Sequence, residues 1–259
     1  MITHEQRVET AEKLASLLLA KYGDEILLGG IYGSVAKETD TDYSDLEMFF
    51  IVKDESSAKT FNFAFRSIPV HVEVKKLSIV EKDIVKVNIE WPYKMGMLFN
   101  LKVTCGDKAI LKRFRKLLEG IPNERFNEYI ARYTPLCCEG LGRLKSVKLR
   151  GNTHEAGLFV SEVLGEQMLL VALFNRGFIN HSYLGGLPES FHFKYLPQNY
   201  EQTVRKLMNW HSLGLEETIV IAERFVQDFI SFLDTKGIKI EDNTPLEEAV
   251  AQCEVLGNV

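Results

Sequence analysis

The stretch from Gly29 to Val52, GGIYGSVAKETDTDYSDLEMFFIV, constrains the chain more than any other. An apolar run from Ile26 to Tyr32 ends on Gly33-Ser34, and after ten residues Asp45-Leu46-Glu47 opens a second apolar run that reaches Val52. Both runs have the length and the flanking turn residues of buried strands. Successive side chains of a strand point to opposite faces, so Asp45 and Glu47 share one face, about 7 Å apart. Two carboxylates placed that way suit a hard cation, and Mg²⁺ is usually held by one or two carboxylates together with phosphates and water. Gly33 lets the backbone approach a phosphate closely, and Ser34 adds a hydroxyl to the N–H groups of the turn. Singly, Asp-x-Glu is an ordinary solvated strand face and Gly-Ser an ordinary turn. Their order and spacing between two strands point to metal-assisted chemistry on a phosphate-bearing substrate.

The neighbouring segments extend this core. Thr3 with Gln6 forms a capping box, Val8, Ala11, Leu14, Ala15 and Leu18 recur at helical spacing, and Gly23 supplies a stop, so the chain begins with an amphipathic helix. Val35 to Ser44 is polar and predicts a helical turn and loop. Thr60 to Phe65 is a strand or lid. From Val70 to Val74, Val70, Val72 and Val74 face one way and His71 and Glu73 the other. Paired beside Asp45 and Glu47, that strand brings Glu73 to the site as a third carboxylate; the alternative is a surface Glu73 on a half-exposed strand. His71 is expected to be structural. Ser78 to Glu90 predicts a helix ended by Trp91-Pro92, because a residue before proline disfavours the helix. Leu98 to Thr104 predicts a strand, and Lys108 to Glu119 a basic helix closing at Gly120-Ile121-Pro122. That Gly-x-Pro marks the expected boundary between a domain at 1–122 and a second at 123–259.

The second half carries helical runs and no convincing strand. One helix is expected from Asn123 to about Lys148, kinked at Pro135, and another from Asn152 to Gly177. After a loop from Phe178 to Pro197, helices follow over Glu201–His211 and Leu215–Lys236, and a last one starts at Thr244-Pro245 with Glu247 in the capping-box position. The expected fold class is α+β: a mixed β-sheet with flanking helices, followed by a helical bundle. Glu139 and Arg143 lie four residues apart on one helix face, an ion pair worth a few tenths of a kcal/mol. Gly140 and Gly142 between them each carry a helix penalty of roughly 1 kcal/mol and suggest close approach by something else.

Composition narrows the class of partner. With 259 residues and 46% hydrophobic content the chain can build a packed core in one large or two modest domains. A net charge of −5 argues against a nucleic-acid partner, which calls for a basic patch. The start, MITHEQRVET, lacks a signal-peptide core, and the longest apolar run, Met168 to Phe174, is too short to span a bilayer. The expectation is a soluble, cytoplasmic protein with no membrane partner, acting on a small molecule. Cys105, Cys137, Cys138 and Cys253 have neither metal-ligand spacing nor a plausible disulfide arrangement and are expected to be reduced thiols.

Gly33-Ser34 followed by Asp45-x-Glu47 resembles the signature of the DNA polymerase beta-like nucleotidyltransferases. The longer string from Lys21 to Met48 is most similar to the aminoglycoside 4′-O-nucleotidyltransferases of that superfamily, the kanamycin nucleotidyltransferase group. Echoes follow at His71-Val72-Glu73-Val74, at Glu90-Trp91-Pro92 and from Glu139 to Gly151. The resemblance spans about the first 155 residues and then fades to length and helical character. It implies a nucleotidyltransferase domain at 1–122, transfer of a nucleoside monophosphate from ATP or another NTP to an aminoglycoside hydroxyl, and release of pyrophosphate. It further implies Mg²⁺ on Asp45 and Glu47, with Glu73 as a possible third ligand, and a triphosphate on Gly33 and Ser34. Lys37 stands where the family has an arginine near that triphosphate. Glu139 matches the family's general base, and Arg143 takes the place of a lysine beside the α-phosphate. The family's homodimer, with active sites at the subunit interface, is implied as well.

One segment departs from the family. Between Asp54 and Arg66, where the family is acid-rich, this chain has three phenylalanines and two cations against two acids. That composition suits a less charged or more apolar acceptor, such as a lincosamide-like or metabolic alcohol. A protein or RNA acceptor, as in a toxin–antitoxin pair, is a further alternative, against which the complete Asp45/Glu47 pair and the large helical half both argue.

Overall fold

In the computed structural model, which describes residues 2–181, 183–240 and 245–246, helix α1 (His4–Tyr22) starts on the reciprocal Thr3/Gln6 capping box and stops at Gly23, φ +54°. Strand β1 (Ile26–Tyr32) runs into a single helical turn, α2 (Gly33–Ala36), and β2 (Leu46–Val52) returns antiparallel to β1. Next come β3 (Phe61–Phe65), β4 (Ile68–Lys76), α3 (Leu77–Val85), α4 (Trp91–Phe99), β5 (Lys102–Gly106) and α5 (Ala109–Glu119). The five strands form one mixed sheet in the order β3-β4-β2-β1-β5, with β2 and β4 parallel and the other pairs antiparallel.

Strand alternation explains the two faces of this sheet. Ile31, Leu46, Met48, Phe50, Val52, Val70 and Val72 are buried in one cluster with Ala11 and Ala15 of α1. Each such side chain contributes about 1.5–3 kcal/mol on burial. On the other face, Phe49 packs with Val80 of α3 and with Met95 and Leu98 of α4. The same face carries Glu47 in register with Tyr32 on one side and His71 on the other, and His71 in turn lies opposite Asn62. A polar row therefore crosses the sheet at the start of β2.

Two local expectations are corrected in this region. Trp91-Pro92 does not close the preceding helix: α3 ends at Val85, and Pro92 sits in the first turn of α4, where no intrahelical N–H is needed. Trp91 is fully buried and its Nε1–H donates to the Ile84 carbonyl at 2.8 Å. Leu98 and Phe99 complete α4, so the last strand starts at Lys102 rather than at Leu98. Trp91, Met95 and Leu98 recur at helical spacing and are all buried, and that periodicity prevails over the strand propensity of the following residues.

Beyond Pro122 the chain continues as α6 (Asn123–Tyr133), α7 (Cys138–Arg150), α8 (Ala156–Phe174), the short α9 (Leu187–Ser190), α10 (Tyr200–Met208) and α11 (Leu215–Thr235). Pro135 separates two helices rather than kinking one, with Leu136 and Cys137 both donating back to the Tyr133 carbonyl across the turn. Asn152 makes no side-chain cap; a 3₁₀ turn over Thr153–Glu155 leads into α8, which stops at Phe174, short of Gly177. By length and composition α8 could cross a membrane, but Val160, Val163, Leu164, Met168 and Val171 are buried within the helical region. Among the described residues, no strand follows Pro122 and Cys105, Cys137 and Cys138 are free thiols. The helix expected from Thr244, with Glu247 at its cap, and Cys253 lie outside the described residues.

The chain divides into two compact units, Met1–Pro122 with Arg176–Glu189, and Asn123–Asn175 with Ser190–Val259. The return of 176–189 to the first unit has no counterpart in the sequence pattern. It is anchored by Arg176, which donates to the carbonyls of Leu118 and Ile121 at 3.0 and 2.8 Å, and by the Ile179 N–H, which donates to the Pro92 carbonyl at 3.1 Å. Phe178 stacks on Phe99 with ring centroids 5.4 Å apart. Gly96 permits the approach, since a Cβ there would lie 2.1 Å from the Ile179 carbonyl oxygen.

Candidate active site

The end of β1 delivers Gly33 and Ser34, and the start of β2 delivers Asp45 and Glu47, to one cavity of about 550 Å³ in the first unit. Such a volume suits a small-molecule ligand. Gly33 is required for two reasons: its φ is +70°, and a Cβ would lie 1.9 Å from Glu47 Oε2. The space that its missing side chain leaves therefore holds the Glu47 carboxylate. Lys37, Glu73 and Lys75 line the same cavity. A second recess, lined by Thr60, Asn62 and His71, shares Tyr32, Asp45, Glu47 and Glu73 with the first. The carboxylates thus stand between a Gly33/Ser34/Lys37 side and a β3/β4 side.

Crowding governs the electrostatics. Burial, then the neighbouring charge of Asp45, pushes the Glu47 carboxyl up to about 7, with Glu73 adding to the effect and Lys37 opposing it. Burial and the charges of Glu47, Glu73 and Asp45 raise the Tyr32 phenol well above its ordinary value. Burial lowers the Lys37 ammonium, against the pull of Glu189 and Glu47. Glu73 is partly neutralised by Lys75 at 3.2 Å, which also pairs with Asp83 at 2.9 Å. His71, expected to be structural, lies on the site face, with Nε2 3.6 Å from Asp45 Oδ2 and Nδ1 3.1 Å from Asn62 Oδ1.

The donor set is all oxygen. Among the described residues, no group of three or more His, Cys, Asp or Glu side chains is arranged to hold a metal by itself. A pair of carboxylates with an incomplete shell fits Mg²⁺ arriving with phosphate and water ligands, and does not fit a self-sufficient protein cage.

Lys75 escaped the sequence reading, and so did Asn180, His181 and Glu189. Lys37 Nζ is 3.3 Å from His181 Nδ1 and 3.9 Å from Glu189 Oε1. Glu189 pairs with His181 and accepts from both the backbone N–H and the side-chain amide of Asn180, each at 2.8 Å. Asn180 and His181 come from a loop without periodicity and Glu189 from the short α9, and the signal there was the polar pair Asn180-His181.

The phenylalanines of β3 do not line the β3/β4 recess. Phe61, Phe63 and Phe65 pair in register with Val72, Val70 and Ile68, and so lie on the face opposite to Asn62 and His71. The wall beside the carboxylates is hydrogen-bonding, made of Thr60, Asn62 and His71, and carries no phenylalanine.

Glu139 and Arg143 belong to α7, in the second unit. Arg143 Nη2 donates to Glu139 Oε1 at 2.5 Å, and Nη1 donates to Glu162 Oε1 of α8 at 2.6 Å. Glu166, one turn along α8, is pushed up to about 7 by burial and by the Glu162 charge. The close approach expected at the helix glycines occurs at Gly140, where a Cβ would lie 3.2 Å from Glu162 Cγ and from Val163 Cγ2. Gly142 has nothing within 4 Å of that position.

Comparison with known proteins bears on this arrangement. Proteins named aminoglycoside nucleotidyltransferase (4′), from a Bacillus species and from Staphylococcus aureus, each share 22% identity with this chain over 242 residues, covering 93% of it and 95% of theirs. The chain is a homologue of nucleotidyltransferase enzymes. The similarity therefore continues through the helical half, where motifs alone no longer register it. A solved nucleotidyltransferase-like protein from Exiguobacterium sibiricum aligns over 88% of this chain and 75% of its own, with a TM-score of 0.48 and 14% identity. No protein-family model matches the chain.

Proposed function

We propose that the chain is a Mg²⁺-dependent nucleotidyltransferase that moves a nucleoside monophosphate from ATP, or another NTP, to a hydroxyl of a small molecule, with an aminoglycoside as the leading acceptor, releasing pyrophosphate. The observation that carries this reading is the crowding of Asp45 and Glu47 against the Gly33-Ser34 turn in one cavity, with the Glu47 carboxyl pushed up to about 7. A cation between carboxylates packed this way would relieve their mutual repulsion. Mg²⁺, when bound with the nucleotide, supplies neutralisation of the charge that grows toward the leaving pyrophosphate.

The chain's own residues do the rest. Asp45 and Glu47 would hold the ion, with Glu73 as a third ligand. Ser34, the N–H groups of its turn and Lys37 receive the triphosphate. Glu139 accepts the proton of the attacking hydroxyl, a task that needs hydrogen-bond reach more than an extreme pKa. Arg143 stabilises charge on the α-phosphoryl oxygens, as a planar fork rather than a point donor. The roles of Glu139 and Arg143 are supported by the resemblance over 139–151. The same resemblance supports a homodimer with active sites at the subunit interface, in the cytoplasm.

Similarity over 93% of the chain to proteins named for aminoglycosides supports that acceptor class. The wall of Thr60, Asn62 and His71, which carries no carboxylate of its own, favours a second reading, a less cationic acceptor such as a lincosamide-like or metabolic alcohol. Incubation with Mg²⁺, mixed nucleotides and a panel of aminoglycosides and lincosamides, with mass detection of adducts, separates the two. An adduct on an aminoglycoside is expected. An adduct on lincosamides alone moves the assignment to the second reading, and none on any alcohol removes both.

A further inference from the structure

We infer that Glu162 is the positioning residue for Arg143, and that residue 140 is glycine because it admits the Glu162 side chain to that task. The inference rests on the proposed role of Arg143 at the α-phosphate. Arg143 and Glu139 are one turn apart on α7, and an isolated pair at that spacing closes on itself. Here the guanidinium is shared: one terminal nitrogen donates to Glu139 and the other to Glu162, at 2.5 and 2.6 Å. A planar fork can hold two carboxylates on two helices at once, whereas a lysine ammonium acts as a point charge without that fixed geometry.

The two carboxylates are unequal partners. The Glu162 side chain is 26% exposed and that of Glu139 65% exposed. The more buried Glu162 therefore acts as the anchor, while the solvated Glu139 can leave the arginine and take a proton from a substrate hydroxyl. Without Glu162, both donors of the fork would fall to Glu139, occupying the proposed base and turning the arginine from its phosphate.

Gly140 makes the anchor possible. A Cβ at that position would lie 3.2 Å from Glu162 Cγ and 3.4 Å from its Cδ, so the stem that reaches Arg143 would have to shift by a few tenths of an ångström. Val163 Cγ2 also lies 3.2 Å from that position. At Gly142 the same addition meets nothing within 4 Å, so the constraint is specific to residue 140.

The test is a double-mutant cycle on the full chain, reading MgATP affinity by calorimetry and transfer to kanamycin by pyrophosphate release. E162A in the wild-type background is expected to weaken MgATP binding about 3-fold or more and to lower kcat about 10-fold, but to change binding less than about 1.5-fold in an R143A background, since contacting residues couple and independent ones do not. G140A should move both quantities in the same direction by a smaller factor, with a melting temperature at or above that of the wild type. It keeps the test decisive if E162A folds poorly. Equal losses in both backgrounds, or no loss in the wild type, would overturn the inference. If R143A itself changes neither binding nor transfer, the role of Arg143 fails instead, and the reading beneath the inference falls with it.

Discussion

Replacing Glu47 by glutamine should stabilise the protein at alkaline pH in the absence of metal, by an amount that the site geometry sets. The Glu47 carboxyl is pushed from an ordinary 4.5 up to about 7, by burial first and by Asp45 second. At about 1.4 kcal/mol per pH unit that displacement corresponds to roughly 3 kcal/mol, and partial exposure of the site reduces it to about 1–2 kcal/mol. The sign follows from proton uptake. The native carboxyl keeps its proton up to about pH 7 while the unfolded one releases it near 4.5, so the native state binds more protons in between and loses stability as pH rises through that window. Glutamine, nearly isosteric with the protonated acid, carries no such penalty. The difference between E47Q and wild type should therefore be near zero at about pH 4.5 and reach about 1–2 kcal/mol in favour of the variant at pH 8, a rise of roughly 2–8 °C in melting temperature. Melts are run in EDTA across pH and repeated with excess Mg²⁺ and ATP, which should stabilise the wild type by about 2.7 kcal/mol at a ligand concentration of 100 Kd and largely spare the variant. A difference that is flat with pH, or an E47Q less stable at pH 8, would refute the crowding argument.

Three further outcomes follow. D45N should abolish transfer with the circular dichroism spectrum unchanged; full turnover in that variant removes the metal assignment. G33A should cost at least about 1–2 kcal/mol of stability from the left-handed backbone alone, and more from contact with Glu47, with transfer lost; a variant as stable as wild type contradicts the geometry at Gly33. E139Q should lower kcat by about 10²–10⁴-fold with MgATP affinity held within about twofold, and an unchanged kcat would leave Glu139 as a helix ion pair only.

Local signals carried much of this protein. The Thr3/Gln6 box, the Gly23 stop, β1, β2 and the turn between them were legible because capping, strand alternation and left-handed glycine are properties of a few adjacent residues. The same alternation placed Val70, Val72 and Val74 on the core face and left His71 and Glu73 for the other. Misreadings arose where one local rule met a competing one. Pro92 was read as a stop when its place in the first helical turn makes it a start, and Pro135 as a kink when the chain breaks there into two helices.

What only the tertiary structure decided is which distant residues meet. The Lys37–His181 contact joins positions 144 apart in sequence, and the Arg143–Glu162 pair joins positions 19 apart on two helices. No periodicity reports such pairings. The side of β3 on which its phenylalanines lie depended likewise on register with β4, which turned an apparent aromatic wall into one of Thr60, Asn62 and His71. The sequence by itself determined that Gly33-Ser34 and Asp45-x-Glu47 share one site, because they occupy two adjacent strand ends. The lining of the β3/β4 recess, the Arg143–Glu162 pair and the close approach at Gly140 came from packing between elements, because each depends on how closely backbones far apart in the chain approach one another.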